Sequence, residues 1–251
     1  NDLAKKIAVM LGTSPEVWLN LQNRYDQKLI EIEIEKDLDE EKYLAHMIDY
    51  SYFVKVAKLP DTRDVAEKIK NLCKYLKVSS LKILLEPDFL VNFRTGIPNI
   101  EDKNLINARA WIQTAINCAK DIETNSFDAV RLNAAIPELR GMTEMRPEVF
   151  IPRMKEIFSE CGVAFVLLPH LKNSGINGAV KWINNERVVL AMNNRGLDAD
   201  KFWFSLFHEI KHVLQQKIKT VFLNMDANEL MEMENKQKKE ADEFASNHLI
   251  S

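Results

Sequence analysis

Hydrophobic and polar positions recur with a helical period over most of this chain. Gly12 suits the position just past a helix end, and Ser14, Pro15 and Glu16 read as N-cap, first helical residue and first-turn acid of the next helix, on which Trp18, Leu21 and Tyr25 share one face. From residue 29 to about residue 58 an acidic stretch gives way to an apolar one, most simply a helix with a solvated charged face. Within it Ile-Glu-Ile-Glu-Ile-Glu alternates with strand period, so a short strand is the alternative there. Pro60 and Asp61 mark a boundary, and helical patterns follow over 63–78, 104–123, 127–139 and 147–161. After Gly162 the texture changes. Residues 163–169 form a short apolar run stopped by Pro169, which reads as a buried strand, and 178–183 with 187–193 read as a hairpin closed by Asn184, Asn185 and Glu186. The expected fold class is α+β: mainly helical, with a small sheet of about three strands packed beside the helix that follows.

Composition narrows the class without changing it. The chain has 251 residues, 46% of them hydrophobic, enough for one large core or two small ones. Only 7 glycines and 8 prolines fit a helix-rich protein with few tight turns. A net charge of −3 gives no overall electrostatic footprint for nucleic acid. Cys73, Cys118 and Cys161 are odd in number and far apart, which suits reduced buried thiols better than a disulfide framework. No apolar run approaches the ~18 residues of a membrane span, and the opening segment is too short for a secretory signal, so the expected location is cytoplasmic, away from membranes. The chain opens on Asn1 rather than Met, so an upstream portion is expected in the parent protein.

Candidate chemistry lies in Leu-Phe-His-Glu-Ile-Lys-His-Val-Leu, where His208 and His212 stand four residues apart. On a helix that spacing sets both imidazoles side by side, where they can converge on one ion. Trp203, Leu206, Phe207, Ile210, Val213 and Leu214 fall on the opposite, apolar face, while Ser205 and Gln215 share the histidine side. Glu209 lies about a quarter-turn away, placed to take a proton from a water on the ion without ligating it. Hydrolytic zinc sites use three protein ligands and keep a fourth position open, so a third ligand decides the reading. The C-terminal segment reads as a helix with Ala241, Phe244, Ala245 and His248 on one stripe, and its two alanines would allow close approach to the motif helix. Glu240 at the stripe's edge is the favoured third ligand, with Glu243 and His248 as alternatives. His46 reads as structural or solvent-facing. His170 and Arg195 are ambiguous between a structural role and a place at the cleft. Residues 187–193 are the candidate sheet edge for pairing with an extended peptide.

Two family resemblances follow from these residues. Residues 1–26, ending in Leu-Gly-Thr-Ser-Pro-Glu, Trp-Leu-Asn-Leu-Gln and Tyr-Asp, resemble the end of a HigA-like helix-turn-helix domain of the XRE class, whose major-groove recognition helix lies upstream of this ending. From about Thr143 onward the chain resembles the ImmA/IrrE zinc metallopeptidases, in the Phe-Trp-Phe…His-Glu-x-x-His helix, the Glu-Ala…Phe-Ala helix and the three strand-like runs. That resemblance implies Zn²⁺ (Mn²⁺ or Fe²⁺ being alternatives) held by His208, His212 and Glu240, with Glu209 as general base. It departs at Lys211, where the family has Gly, and at Ser251, where Pro closes the motif.

Three regions are expected: 1–28 as a helix-turn-helix remnant, 29–140 as a helical region, and 141–251 as the metallopeptidase-like domain. The implied function is a zinc endopeptidase that cuts a regulatory protein partner, a DNA-binding repressor, under stress. The alternative is a DNA-binding regulator of toxin–antitoxin type whose metallopeptidase-like domain senses or docks without cutting. DNA contact would run through the missing upstream helix-turn-helix. No residue is assigned to substrate binding.

Overall fold

The computed structural model describes residues 2–86, 101–193, 199–215 and 227–249. In chain order these form α1 (Asp2–Leu11), α2 (Pro15–Met47), α3 (Tyr50–Val56), α4 (Val65–Leu76), a 3₁₀ turn (Leu81–Leu85), α5 (Asp102–Ala119) and α6 (Ala129–Gly141). A second 3₁₀ turn (Met142–Glu144), α7 (Pro147–Glu160), β1 (Val163–Leu168), β2 (Gly178–Asn184), β3 (Arg187–Asn193), α8 (Ala199–Gln215) and α9 (Ala227–Leu249) follow. The fold is α+β, mainly helical with one small sheet, as the periodicity predicts. Among the described residues no helix is long and apolar enough to cross a membrane.

Helix boundaries follow local chemistry. Asp64 caps α4 by accepting from the Glu67 amide at 3.0 Å, and Asp128 caps α6 by accepting from the amides of Val130 and Arg131 at 2.8 and 3.0 Å. Gly12 takes the left-handed conformation after α1, at φ 66°, and the Thr13 amide closes back on the Ala8 carbonyl at 3.0 Å. Ser14 occupies the N-cap of α2 but makes no side-chain cap bond, its hydroxyl serving Glu16 instead. The strand alternative for Ile-Glu-Ile-Glu-Ile-Glu is overturned: residues 15–47 are one continuous helix, which crosses position 28 without a break. A strand there would need a hydrogen-bonding neighbour, whereas a helix satisfies its backbone within the segment.

The three strands stand in the order β1-β3-β2, with β1 parallel and β2 antiparallel to β3. β3 is therefore the central strand, hydrogen-bonded on both sides, and residues 187–193 are not the sheet edge expected from the sequence. The parallel pairing of β1 with β3 takes up the edge that a lone hairpin would leave open.

Side-chain alternation splits the sheet between two cores. Ala164, Val166, Ala179, Val189 and Ala191 face Phe53, Leu72, Leu81 and Trp111 of the helical region. Val163, Phe165, Val180, Leu190 and Met192 face Leu132, Phe158, Phe207 and Ile210. With both faces covered, the strands read as nearly continuous apolar runs. The end of β1 is tied to the helical region at Pro169, whose carbonyl accepts from Trp111 Nε1 at 3.0 Å and from Tyr52 Oη at 3.1 Å.

Gly162 starts β1 at φ 80°, and a Cβ there would fall 2.3 Å from the Phe127 Cα and 2.4 Å from its nitrogen. Residues 125–128 run through this gap, with the Phe127 amide donating to the Glu186 carbonyl at 2.8 Å and the Asp128 amide to the Cys161 carbonyl at 3.1 Å. Backbone cannot yield as a side-chain tip can. Gly162→Ala is expected to lower stability by about 2 kcal/mol or more, read as a lower urea midpoint at unchanged slope.

Candidate metal centre

The segment 199–215 contains no glycine or proline, and its apolar stripe has the helical period, so α8 forms and buries one face. Trp203, Leu206, Phe207, Ile210 and Val213 lie in the core beneath the sheet. Against its flank lies α9, whose Ala241 and Ala245 are fully buried, the close approach their small size allows. Contacts between the helices fall in reverse order, Gln215 against Glu240 and Phe207 against His248, so the two run antiparallel.

On the remaining side of α8, His208 and His212 converge. Their Nε2 atoms lie 2.9 Å apart, with ring planes at 77°. Each Nδ1 meets an oxygen: His208 the Asp242 carboxylate at 2.8 Å, His212 the Gln215 amide oxygen at 3.0 Å. The Gln215 amide orientation follows from its other side, where its NH₂ donates to the Gln237 carbonyl at 3.1 Å and to Glu240 Oε2 at 3.0 Å. Both Nδ1 atoms therefore carry a proton, and the two Nε2 atoms face each other at hydrogen-bond distance, with room between them for a shared proton or a cation. Two nitrogens on one tetrahedral zinc ion stand about 3.3 Å apart, so a few tenths of an ångström of ring rotation would admit one.

Of the third-ligand candidates, Glu240 is joined to His212 through the single amide of Gln215. Glu243 is exposed to solvent. His248 donates from Nδ1 to the Phe244 carbonyl at 2.8 Å and stacks on Phe207, a residue of the buried face of α8. Among the described residues no group of three His, Cys, Asp or Glu side chains is gathered as a finished metal cage. Imidazole and carboxylate are donor types that zinc takes, but only the two imidazoles are brought together, and the Glu240 carboxylate stands one amide away from them. Asp242 is the residue that sequence reasoning missed. Its signal was available, as a carboxylate two positions beyond Glu240 on the helix that had to pack against the histidines.

Glu209 lies beneath the start of β2. A Cβ added to Gly178 would approach the Glu209 Cγ and the Met192 Sδ to 2.8 Å and the Glu209 Oε1 to 3.2 Å, so any larger residue at this passage of the strand would force these side chains to shift. Asn193 fixes that passage from the central strand, its amide donating to the Asn177 carbonyl at 2.9 Å and its side-chain NH₂ to the Ile176 carbonyl. Burial pushes the Glu209 carboxyl up to about 8. Burial also lowers the His208 imidazole, opposed by Asp242, which favours its neutral form.

A cleft of about 270 Å³ opens over His208 and Glu209, bounded by Gly178, Ser205 and Asp242. It adjoins a larger one of about 620 Å³, with Asn177, Phe204 and Ser205 common to both. His170 lies outside both linings, partly buried after β1. His46 is exposed in the last turn of α2. Arg195 falls outside the described residues. Lys211 lays its Nζ 5.6 Å from the centre of the Phe244 ring, so its stem follows the α8–α9 seam.

Comparison with known proteins adds no family: no family model, no curated protein and no solved structure matches the chain.

Two outcomes follow from the seating of Glu209. Its carboxyl binds a proton in the folded chain up to about 8, while the unfolded chain releases it near 4.5. The stability that this proton contributes is complete below the unfolded value and is lost as pH rises through the folded one. In metal-free protein, Glu209→Gln is expected to flatten the fall in urea midpoint between those two pH values. Gly178→Ala should move Glu209 from its seat, and the carboxyl titration followed by NMR should then drop from about 8 towards the ordinary glutamate range.

Proposed function

We propose that this chain is a zinc-dependent endopeptidase, resembling the ImmA/IrrE metallopeptidases, that hydrolyses a peptide bond in a regulatory protein partner of the DNA-binding repressor type. The observation that carries the reading is the pairing of two imidazoles, their Nε2 atoms facing at 2.9 Å, with a half-buried carboxyl, Glu209, one residue along the same helix and open to the same cleft. A purely structural zinc site has no use for such a carboxyl and fills all four positions with ligands. His208 and His212, with Glu240 turned inward, would hold the ion; Zn²⁺ is the best match to this donor set, with Mn²⁺ and Fe²⁺ as the alternatives. Bound there, zinc would supply Lewis acidity to the scissile carbonyl and lower the pKa of water.

The chain's own groups do the rest. The Glu209 carboxylate takes the proton of the attacking water and delivers it to the departing amide nitrogen. Its place beside the first histidine, open to the same cleft, suits both transfers. The outer edge of β2 replaces β3 as the strand on which an extended peptide would lie, passing Gly178 above Glu209. A cytoplasmic setting fits this partner and the absence of a membrane-spanning helix among the described residues.

The regulator reading, in which the domain docks without cutting, draws on the exposed apolar residues of the α1–α2 hairpin, among them Val9, Met10, Val17 and Leu21. Cleavage separates the two. With zinc present, the chain is expected to cut unfolded casein or a random peptide mixture, read by mass spectrometry. Glu209→Gln should lose at least about 100-fold in rate, and a chelator should abolish cutting reversibly. Equal product patterns from wild type and Glu209→Gln would remove Glu209 as general base, and an uncut substrate in every condition would leave the regulator.

A further inference from the structure

We infer that Gln215 is a positioning residue that couples the second histidine to the third ligand: one buried amide fixes the His212 tautomer and holds the Glu240 carboxylate beside it. The inference rests on the metal-site reading of His208, His212 and Glu240. Gln215 is only 6% exposed, at the end of α8 on the histidine side. A buried amide must place both its donors and its acceptor, and here each has a partner. Its oxygen accepts from His212 Nδ1 at 3.0 Å, while its nitrogen donates to the Gln237 carbonyl at 3.1 Å and to Glu240 Oε2 at 3.0 Å.

The direction of these bonds makes the coupling specific. Gln237 offers only a carbonyl and Glu240 a carboxylate, so the NH₂ group must face them. The amide oxygen is then left for His212, which has to bring a proton on Nδ1 and keep its Nε2 turned towards His208. His208 has a separate support in Asp242, whose carboxylate accepts from its Nδ1. The two histidines are thus oriented by different groups, and only the His212 side also controls the carboxylate. With Oε2 held by the amide, Glu240 has Oε1 left for an ion, which sets it up as a one-oxygen ligand. Outer partners of this kind fix ring orientation and raise metal affinity.

Two substitutions take the amide apart. Gln215→Met removes both halves at nearly constant volume. Gln215→Glu keeps an oxygen for His212 but sets a second carboxylate against Glu240. In metal-free protein at mildly alkaline pH, long-range ¹H–¹⁵N spectra of the imidazoles should show His212 protonated on Nδ1 in wild type and in Gln215→Glu, and mixed between tautomers in Gln215→Met. His208 should stay protonated on Nδ1 in all three. Zinc affinity by competition with a chelating dye should fall about 10–100-fold in both variants. A merely structural glutamine would shift the melting temperature and leave the His212 tautomer alone. Wild-type affinity in Gln215→Met, or an Nε2-protonated His212 in the wild-type protein, would overturn the coupling. If wild type takes up no zinc while its His212 spectrum matches the expectation, the hydrolase reading falls and the tautomer half of the inference stands.

Discussion

Two imidazole nitrogens held 2.9 Å apart need a proton or a metal cation between them, since lone pairs alone would repel. Everything around α8 keeps them in that position. The helix cannot rotate, because its opposite face carries Trp203, Leu206, Phe207, Ile210 and Val213 into the core and turning it would expose them at about 1.5–3 kcal/mol per side chain. The rings cannot swap tautomers freely, because Asp242 and Gln215 each offer an oxygen to Nδ1. The surrounding apolar packing supplies the rigidity that holds the two rings together.

The helical half of the molecule bears on the same site through the sheet. Trp111 and Tyr52 hold the Pro169 carbonyl at the end of β1. β1 is in parallel register with β3, Val163 beside Val188 and Leu168 beside Asn193. At that end of β3, Asn193 grips the backbone of residues 176 and 177, and the next residue is Gly178 above Glu209. The chain of contacts from α5 to the general-base candidate thus runs through three strands and one glycine. The small residues on the α5 side of the sheet, Ala164, Ala179 and Ala191, let Trp111 sit close enough to make that chain stiff.

Much of this was legible locally. α4, α6, α7 and the strands fall where periodicity and caps place them, because Asp64, Asp128 and Pro147 act within a turn of their own position. The histidine pair was legible for the same reason, since i and i+4 is a property of one helix. The unread features depend on partners distant in sequence. Nothing in residues 187–193 says that β1 will pair with them from the other side, so β3 looked like an edge. Lys77 ends α4 in the left-handed conformation, at φ 59°, without the glycine that would announce it. Gln215 could be placed on the cleft side of α8, but its role needed Gln237 and Glu240, which come from another helix.

The arrangement of α9 explains why two carboxylates spaced only two residues apart take different work. Ala241, between them, is fully buried and brings the α9 backbone close to α8. The residues on either side of such a contact must straddle the neighbouring helix. Because the helices are antiparallel, Glu240 comes out towards Gln215 and Asp242 towards His208. The shorter side chain reaches an outer ring nitrogen directly. The longer one is held through Gln215. Lys211, on the turn where a glycine would permit still closer packing, is accommodated because its stem runs out along the seam to Phe244 rather than between the backbones. The geometry of the centre thus depends on a small side chain at Ala241 more than on the identity of residue 211. Enlarging position 241 would separate both carboxylates from the histidines at once.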